Sequence, residues 1–125
     1  MNPQEQMELA VQAAIDKKGL QPVVLDVRDR VSYTDFIVLI SGRSDRHVQA
    51  LAEAVLQAFA DRKRKPLGVE GARGQWTLID FGDIVVHVFH HPMREYYDLE
   101  GLWCDAPRVA LDLPEEELAD LTYSP

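Results

Sequence analysis

Cysteine is nearly absent from this 125-residue chain, where Cys104 stands alone. A single thiol cannot close an internal disulfide, and it excludes a cysteine-rich zinc site. No apolar run approaches the roughly 18 residues that a membrane-spanning helix needs. No short charged-then-apolar leader opens the chain, so a soluble, cytoplasmic protein is expected, with no membrane partner. Positive charge is scarce at one end. Residues 95–125 hold nine acidic side chains against Arg108 alone, while residues 1–94 balance 12 acidic with 12 basic ones, so the whole net charge of −8 lies in the C-terminal stretch. Such a stretch repels nucleic acid backbones and favours a basic partner. The plainer reading is a solvated, solubilising tail.

What is present suffices for one core in one domain: 46% of the residues are hydrophobic. Asn2 can cap a first helix with Pro3 at its first position and Glu5 completing a capping box. Met7, Val11, Ala14 and Ile15 make its apolar stripe, and Gly19 ends it. Residues 23–28 read as a strand and residues 28–30 as a charged turn. Residues 35–41 form a nearly continuous apolar run, as in a central strand covered on both faces. Ser44 caps a second helix whose stripe runs through Val48, Leu51, Ala52, Val55, Ala58 and Phe59. Residues 61–65, D-R-K-R-K, close that helix; cations there complement its dipole, and nucleic-acid contact through them is at most minor. Residues 66–70 suit a short edge strand, residues 71–74 a flexible loop.

Residues 75–81 and 83–89 are rich in β-branched and aromatic side chains and read as a hairpin about Phe81-Gly82. A two-residue loop there pairs Asp80 with Asp83, Leu78 with Val85 and Trp76 with His87. One face then carries Thr77, Ile79, Phe81, Ile84, Val86 and Val88, a natural core. The other carries Trp76, Leu78, Asp80, Asp83, Val85 and His87. Opposed carboxylates cost stability in a sheet pair, so that face points to something other than packing. After it, Pro92 opens a third helix with Met93, Tyr96, Tyr97, Glu100 and Trp103 at helical spacing. Residues 112–117, D-L-P-E-E-E, resemble a further helix start. The element order implies an α/β fold, a mixed sheet flanked by helices.

The run W-x-L-x-D-x-G-D-I-V-V-H-V-F, followed by R-E-Y-Y-D-L-E-G-L-W, resembles the ribosomal silencing factor (Iojap-like) family. T-D-F-I-V-L-I-S-G-R-S-D-R-H-V-Q-A-L-A and P-L-G-V-E-G upstream are similar to it in order and spacing. The resemblance covers roughly residues 5–105 and divides the chain into a silencing-factor domain, 1–105, and an acidic tail, 106–125. It implies a single domain similar to a nucleotidyltransferase core, usually a homodimer. It also implies a translation repressor that binds ribosomal protein fourteen of the large ribosomal subunit and blocks subunit joining, with no cofactor.

An enzyme is the alternative that such a fold raises. Gly42 and Ser44 at a helix start could take a phosphate through backbone N–H groups, with Asp80 and Asp83 as metal-holding carboxylates. The carboxylate pair expected soon after the glycine-serine turn is missing, however. Asp80-Phe81-Gly82 spells a kinase triplet, but the chain is too short and lacks the other kinase motifs. His87, His90 and His91 read as polar rim residues rather than metal ligands, since neighbours on a strand point opposite ways. Cys104 reads as a half-buried small residue.

The aromatic-acidic surface remains. Trp and Tyr bury much area at little entropic cost. Trp76, Tyr97, Leu99, Leu102 and Trp103 are the expected apolar anchors, joined by Leu78 and His87 on the hairpin face. Asp80, Asp98 and Glu100 form an acidic rim for Lys or Arg. Tyr97 and Trp103 could equally pack the third helix on the sheet, whereas Leu99 sits off that stripe and suits an exposed role.

Overall fold

The structure, a computed structural model, describes residues 1–72 and 75–111, with the side chains of Ala72, Tyr97 and Leu99 left aside. Helix α1 spans Pro3–Asp16; the Asn2 side chain accepts from the Glu5 N–H and Glu5 accepts from the Asn2 N–H, which closes the expected capping box. Met7, Ala10, Val11 and Ala14 are buried along it. The left-handed residue that ends α1 is Lys18, with φ 65°, rather than Gly19. Gly19 is needed for space, because a Cβ there would stand 2.9 Å from Ile40 Cγ2.

Strand β1 spans Leu20–Asp26, three residues earlier than its apolar run suggests, through an irregularity between Leu20 and Val23. Strand β2, Phe36–Gly42, is buried at every residue. Ser44 caps helix α2, Asp45–Ala60, by accepting from the His47 N–H at 3.1 Å. Strands β3 (Gly68–Ala72), β4 (Trp76–Asp80) and β5 (Ile84–His90) follow. Helices α3 (His91–Tyr97) and α4 (Leu99–Leu102) close the described fold. The strands form one sheet in the order β1-β2-β5-β4-β3, with β2 and β5 parallel and the other neighbours antiparallel. The fold is α/β with a mixed sheet, as expected.

Helices α1 and α2 cover one face. Val38, Ile40, Ile79, Phe81, Ile84, Val86 and Val88 meet Leu51, Val55 and Phe59 there in the main core. A smaller cluster lies on the opposite face around Leu25, Val27, Ile37, Leu39, Phe89 and Ala106, with Trp76 and Trp103 partly buried against it. Residues 107–109 run along the β1 edge: Asp26 N–H donates to the Pro107 carbonyl and Val109 N–H to the Val24 carbonyl. The start of the acidic stretch is thus seated on the sheet. The helix start read at residues 112–117 lies outside the described residues.

Three expectations need correction. First, the hairpin turns on Gly82-Asp83, not Phe81-Gly82. Phe81 pairs with Ile84 and stacks on Phe59 at 3.9 Å, so core burial keeps it in the strand direction. Gly82 takes φ 86°, and Asp80 Oδ1 accepts its N–H at 2.8 Å. The register moves by two: Asp80 faces Val85, Leu78 faces His87 and Trp76 faces Phe89. An even slip preserves faces, so the core residues stand, but the opposed carboxylates vanish. Second, β3 extends to Ala72. Gly71 pairs with Thr77 within it, and the close approach of the Trp76 carbonyl, which any Cβ would strike, requires glycine there. Third, the long third helix is broken at Asp98, which takes φ 46°, so Tyr97 and Trp103 do not share one helical stripe.

Candidate docking face

The face of the sheet away from α1 and α2 is covered unevenly. Trp103, Ala106, Val31 and Val27 close it over β1 and β2. Toward β4 and β3 the register sets out rows that cross the sheet. Ala72, Trp76, Phe89 and Ser41 make one; Glu70, Leu78, His87 and Leu39 the next; Gly68, Asp80, Val85 and Ile37 the third. Trp76, Leu78 and Asp80 are half-buried, while His87, Val85 and Phe89 are buried.

Trp76 and His87 are locked together. The indole Nε1–H donates to His87 Nδ1 at 3.0 Å. The rings of Trp76, His87 and Phe89 lie nearly parallel, with centroids 5.8 to 6.0 Å apart. Such offset aromatic contacts add to area burial and restrict ring motion. Burial pushes the His87 imidazole down from its ordinary value to about 4, so the ring is neutral and serves as an acceptor at Nδ1. His87 is therefore a buried support under the indole, not the rim residue that its neighbours His90 and His91 suggested.

The acidic rim is also revised. Glu100 accepts from Arg94 Nε at 2.9 Å and from Arg108 Nη2 at 3.1 Å, so it holds the fold instead of awaiting a partner. Asp98 forms the joint between α3 and α4, accepting the Gly101 N–H at 3.0 Å. Asp80 keeps one oxygen on Gly82, and Glu70, in line with Leu78, is exposed on β3. Glu70 escaped the sequence reading; the alternation V-E-G in an edge strand was its only signal. Leu102 is 68% exposed, as suits an anchor, and Trp103 is half-buried against the same cluster as Trp76. The side chains of Tyr97 and Leu99 lie outside the described ones. Cys104 is exposed rather than half-buried.

Arg94 also went unnoticed in the sequence. It is buried, and besides Glu100 it donates to the Gln21 carbonyl at 2.6 Å and to Ser41 Oγ at 3.0 Å. One guanidinium thus ties α3 to β1, β2 and α4, and positions the elbow that bears Leu102 and Trp103.

The groups required for nucleotidyl transfer are not brought together. Gly42 aligns with His90, whereas Asp80 and Asp83 flank the Ile84 end of β5. Six residues of strand separate those ends by about 20 Å. Ser44 is engaged as the α2 cap. Asp83 is engaged elsewhere, accepting from Gln6 Nε2 of α1 at 2.7 Å and lying 3.8 Å from Arg64.

A family model described as ribosomal silencing factor during starvation matches residues 1–124. The chain belongs to the ribosomal silencing factor family. A silencing factor from Halalkalibacterium halodurans is 42% identical over 113 residues, 90% of this chain and 97% of its own. One from Bacillus subtilis is 36% identical, covering 90% and 96%. A crystal structure of a Chromobacterium violaceum protein superposes with a TM-score of 0.81 at 34% identity, over 94% of this chain and 98% of that one. Silencing factors are described by a regulatory role on the ribosome rather than by a reaction. The family match also takes in most of the acidic stretch. Among the described residues no helix is long and apolar enough to cross a membrane.

Proposed function

We propose that this protein represses translation in the cytoplasm as a homodimer that docks on the large ribosomal subunit through ribosomal protein fourteen and sterically blocks subunit joining. The observation that carries this reading is the half-buried Trp76, held rigid by the buried rings of His87 and Phe89, beside half-buried Leu78 on the face of the sheet away from α1 and α2. A rigid aromatic anchor amid apolar neighbours has the composition of a binding hot spot. Asp80 and Glu70 border it with negative charge, suited to a basic ribosomal protein. Occupancy alone accomplishes the repression; no bond is made or broken.

The test is a purified joining assay. Large and small subunits are mixed with the protein and the joined particle is followed by sedimentation, with large-subunit affinity measured in parallel. Wild type should reduce joining in proportion to its occupancy. Trp76→Ala should lose about 2 kcal/mol of affinity or more, roughly thirty-fold, and should restore joining. Full repression by a folded Trp76→Ala protein would place the docking surface elsewhere.

A further inference from the structure

We infer that the connection from α2 to β3 is a second, electrostatic contact with the subunit, in which Arg62, Lys63 and Lys65 meet phosphates of ribosomal RNA beside the protein-docking face. This inference rests on the docking reading above.

The three side chains are exposed. None takes part in an ion pair among the described residues, whereas Arg64, in the same stretch, does. The neighbouring Asp61 accepts from Gln57 Nε2 at 2.8 Å, a neutral donor that leaves its charge in place, so Arg62, Lys63 and Lys65 keep a local surplus of two positive charges. That surplus exceeds what the α2 dipole calls for, since the dipole effect fades within the last turn.

The loop is also held in place. Lys63 N–H donates to the Ala60 carbonyl and Arg64 N–H to the Phe59 carbonyl, which closes α2 with Lys63 left-handed at φ 59°. Arg64 turns inward, donating to the Phe81 carbonyl and lying 3.8 Å from Asp83. Leu67 N–H reaches the Asp80 carbonyl at 2.7 Å. The backbone that carries the cations is therefore pinned to the β4–β5 turn, beside Asp80 at the edge of the docking face. Because α2 lies on the opposite face, this corner stands past the β4–β5 end of the docking face, and a partner seated on Trp76 and Leu78 leaves it uncovered to meet what borders that partner. On a ribosomal subunit the surroundings are rich in phosphate, and cations without aromatic neighbours contact backbone rather than bases.

The full chain carrying Arg62→Gln, Lys63→Asn and Lys65→Gln together tests this. Asn suits the left-handed position, so the fold should melt no lower than wild type. Affinities for purified large subunits and for isolated ribosomal protein fourteen are measured across a salt series. The triple variant should bind the isolated protein as wild type does and the subunit about tenfold more weakly. Its slope of log affinity against log salt on the subunit should be shallower by about 2, from roughly 0.7 per phosphate contact. An equal loss on both targets would show that the cations touch the protein, and unchanged affinity on both would make the loop a solvated surface; either result overturns the inference. Wild type that binds subunits but not the isolated protein would instead refute the choice of partner, while the subunit slopes would still decide the role of the loop. Wild type that binds neither refutes both.

Discussion

At the scale of single residues, His87 shows how burial and chemistry act together. Its imidazole titrates near 4 in the fold, against an ordinary value of 6.5. Between those values the unfolded chain holds a proton that the folded chain does not, so stability rises with pH across that window. The contribution is complete above about pH 6.5 and is lost as pH falls through 4, at most about 3 kcal/mol. Protonation also removes the acceptor for the Trp76 indole. Urea unfolding at pH 7.5 and 4.5 should show this loss in wild type and a flatter response in His87→Phe. An unchanged slope in the variant would shift the cause to the carboxylates. Val86 supplies the contrast from the other face. It is fully buried beneath α2, so Val86→Ala should cost about 2–3 kcal/mol of stability through its cavity. Its partner affinity per folded molecule should be unchanged, the reverse of Trp76→Ala.

Among the elements, the α3–α4 elbow depends most on contacts outside itself. With seven and four residues, the two helices are too short to persist alone. Arg94 holds them through Gln21, Ser41 and Glu100. Arg94→Met removes the buried donor to the Gln21 carbonyl and the Ser41 hydroxyl and takes one of its two guanidinium partners from Glu100. It should destabilise the domain by about 3 kcal/mol, as for other breaks in buried charged networks. Arg94→Lys should recover only part of that, since an ammonium cannot reproduce the planar fork. Chemical denaturation of the two variants checks the order, and amide exchange should locate the earliest opening in α3 and α4. Full recovery by lysine would reduce Arg94 to a charge without directional bonds.

For the whole molecule, charge is divided between two regions. Residues 1–94 are neutral overall, yet they hold the basic corner at 62–65, while residues 95–125 contain the entire excess of −8. The acidic end should act on the rate of encounter with a basic protein more than on the final affinity. Stopped-flow association with the proposed partner, isolated ribosomal protein fourteen, should slow several-fold between low and physiological salt. A chain ending at Leu111 keeps the residues seated along β1 and should show a weaker salt response. Indifference to both salt and truncation would leave the acidic end a solubilising one.

The sequence by itself determined what obeys short-range rules. The capping box at Asn2 and Glu5 and the Ser44 cap formed as their residue types require. The apolar stripes of α1 and α2 and the unbroken run of β2 identified the core, because period alone assigns a face. The two faces of the hairpin were legible for the same reason, even with the turn misplaced by one residue. Tertiary structure decided what depends on residues far apart in the chain. Stacking on Phe59 drew Phe81 out of the turn and reset the register. The Arg94 network turned Glu100 from a rim acid into an internal partner. The crowding of Trp76 and Phe89 around His87 made a polar side chain into a buried, neutral support. In each case a local pattern allowed more than one arrangement, and burial of a distant group selected among them.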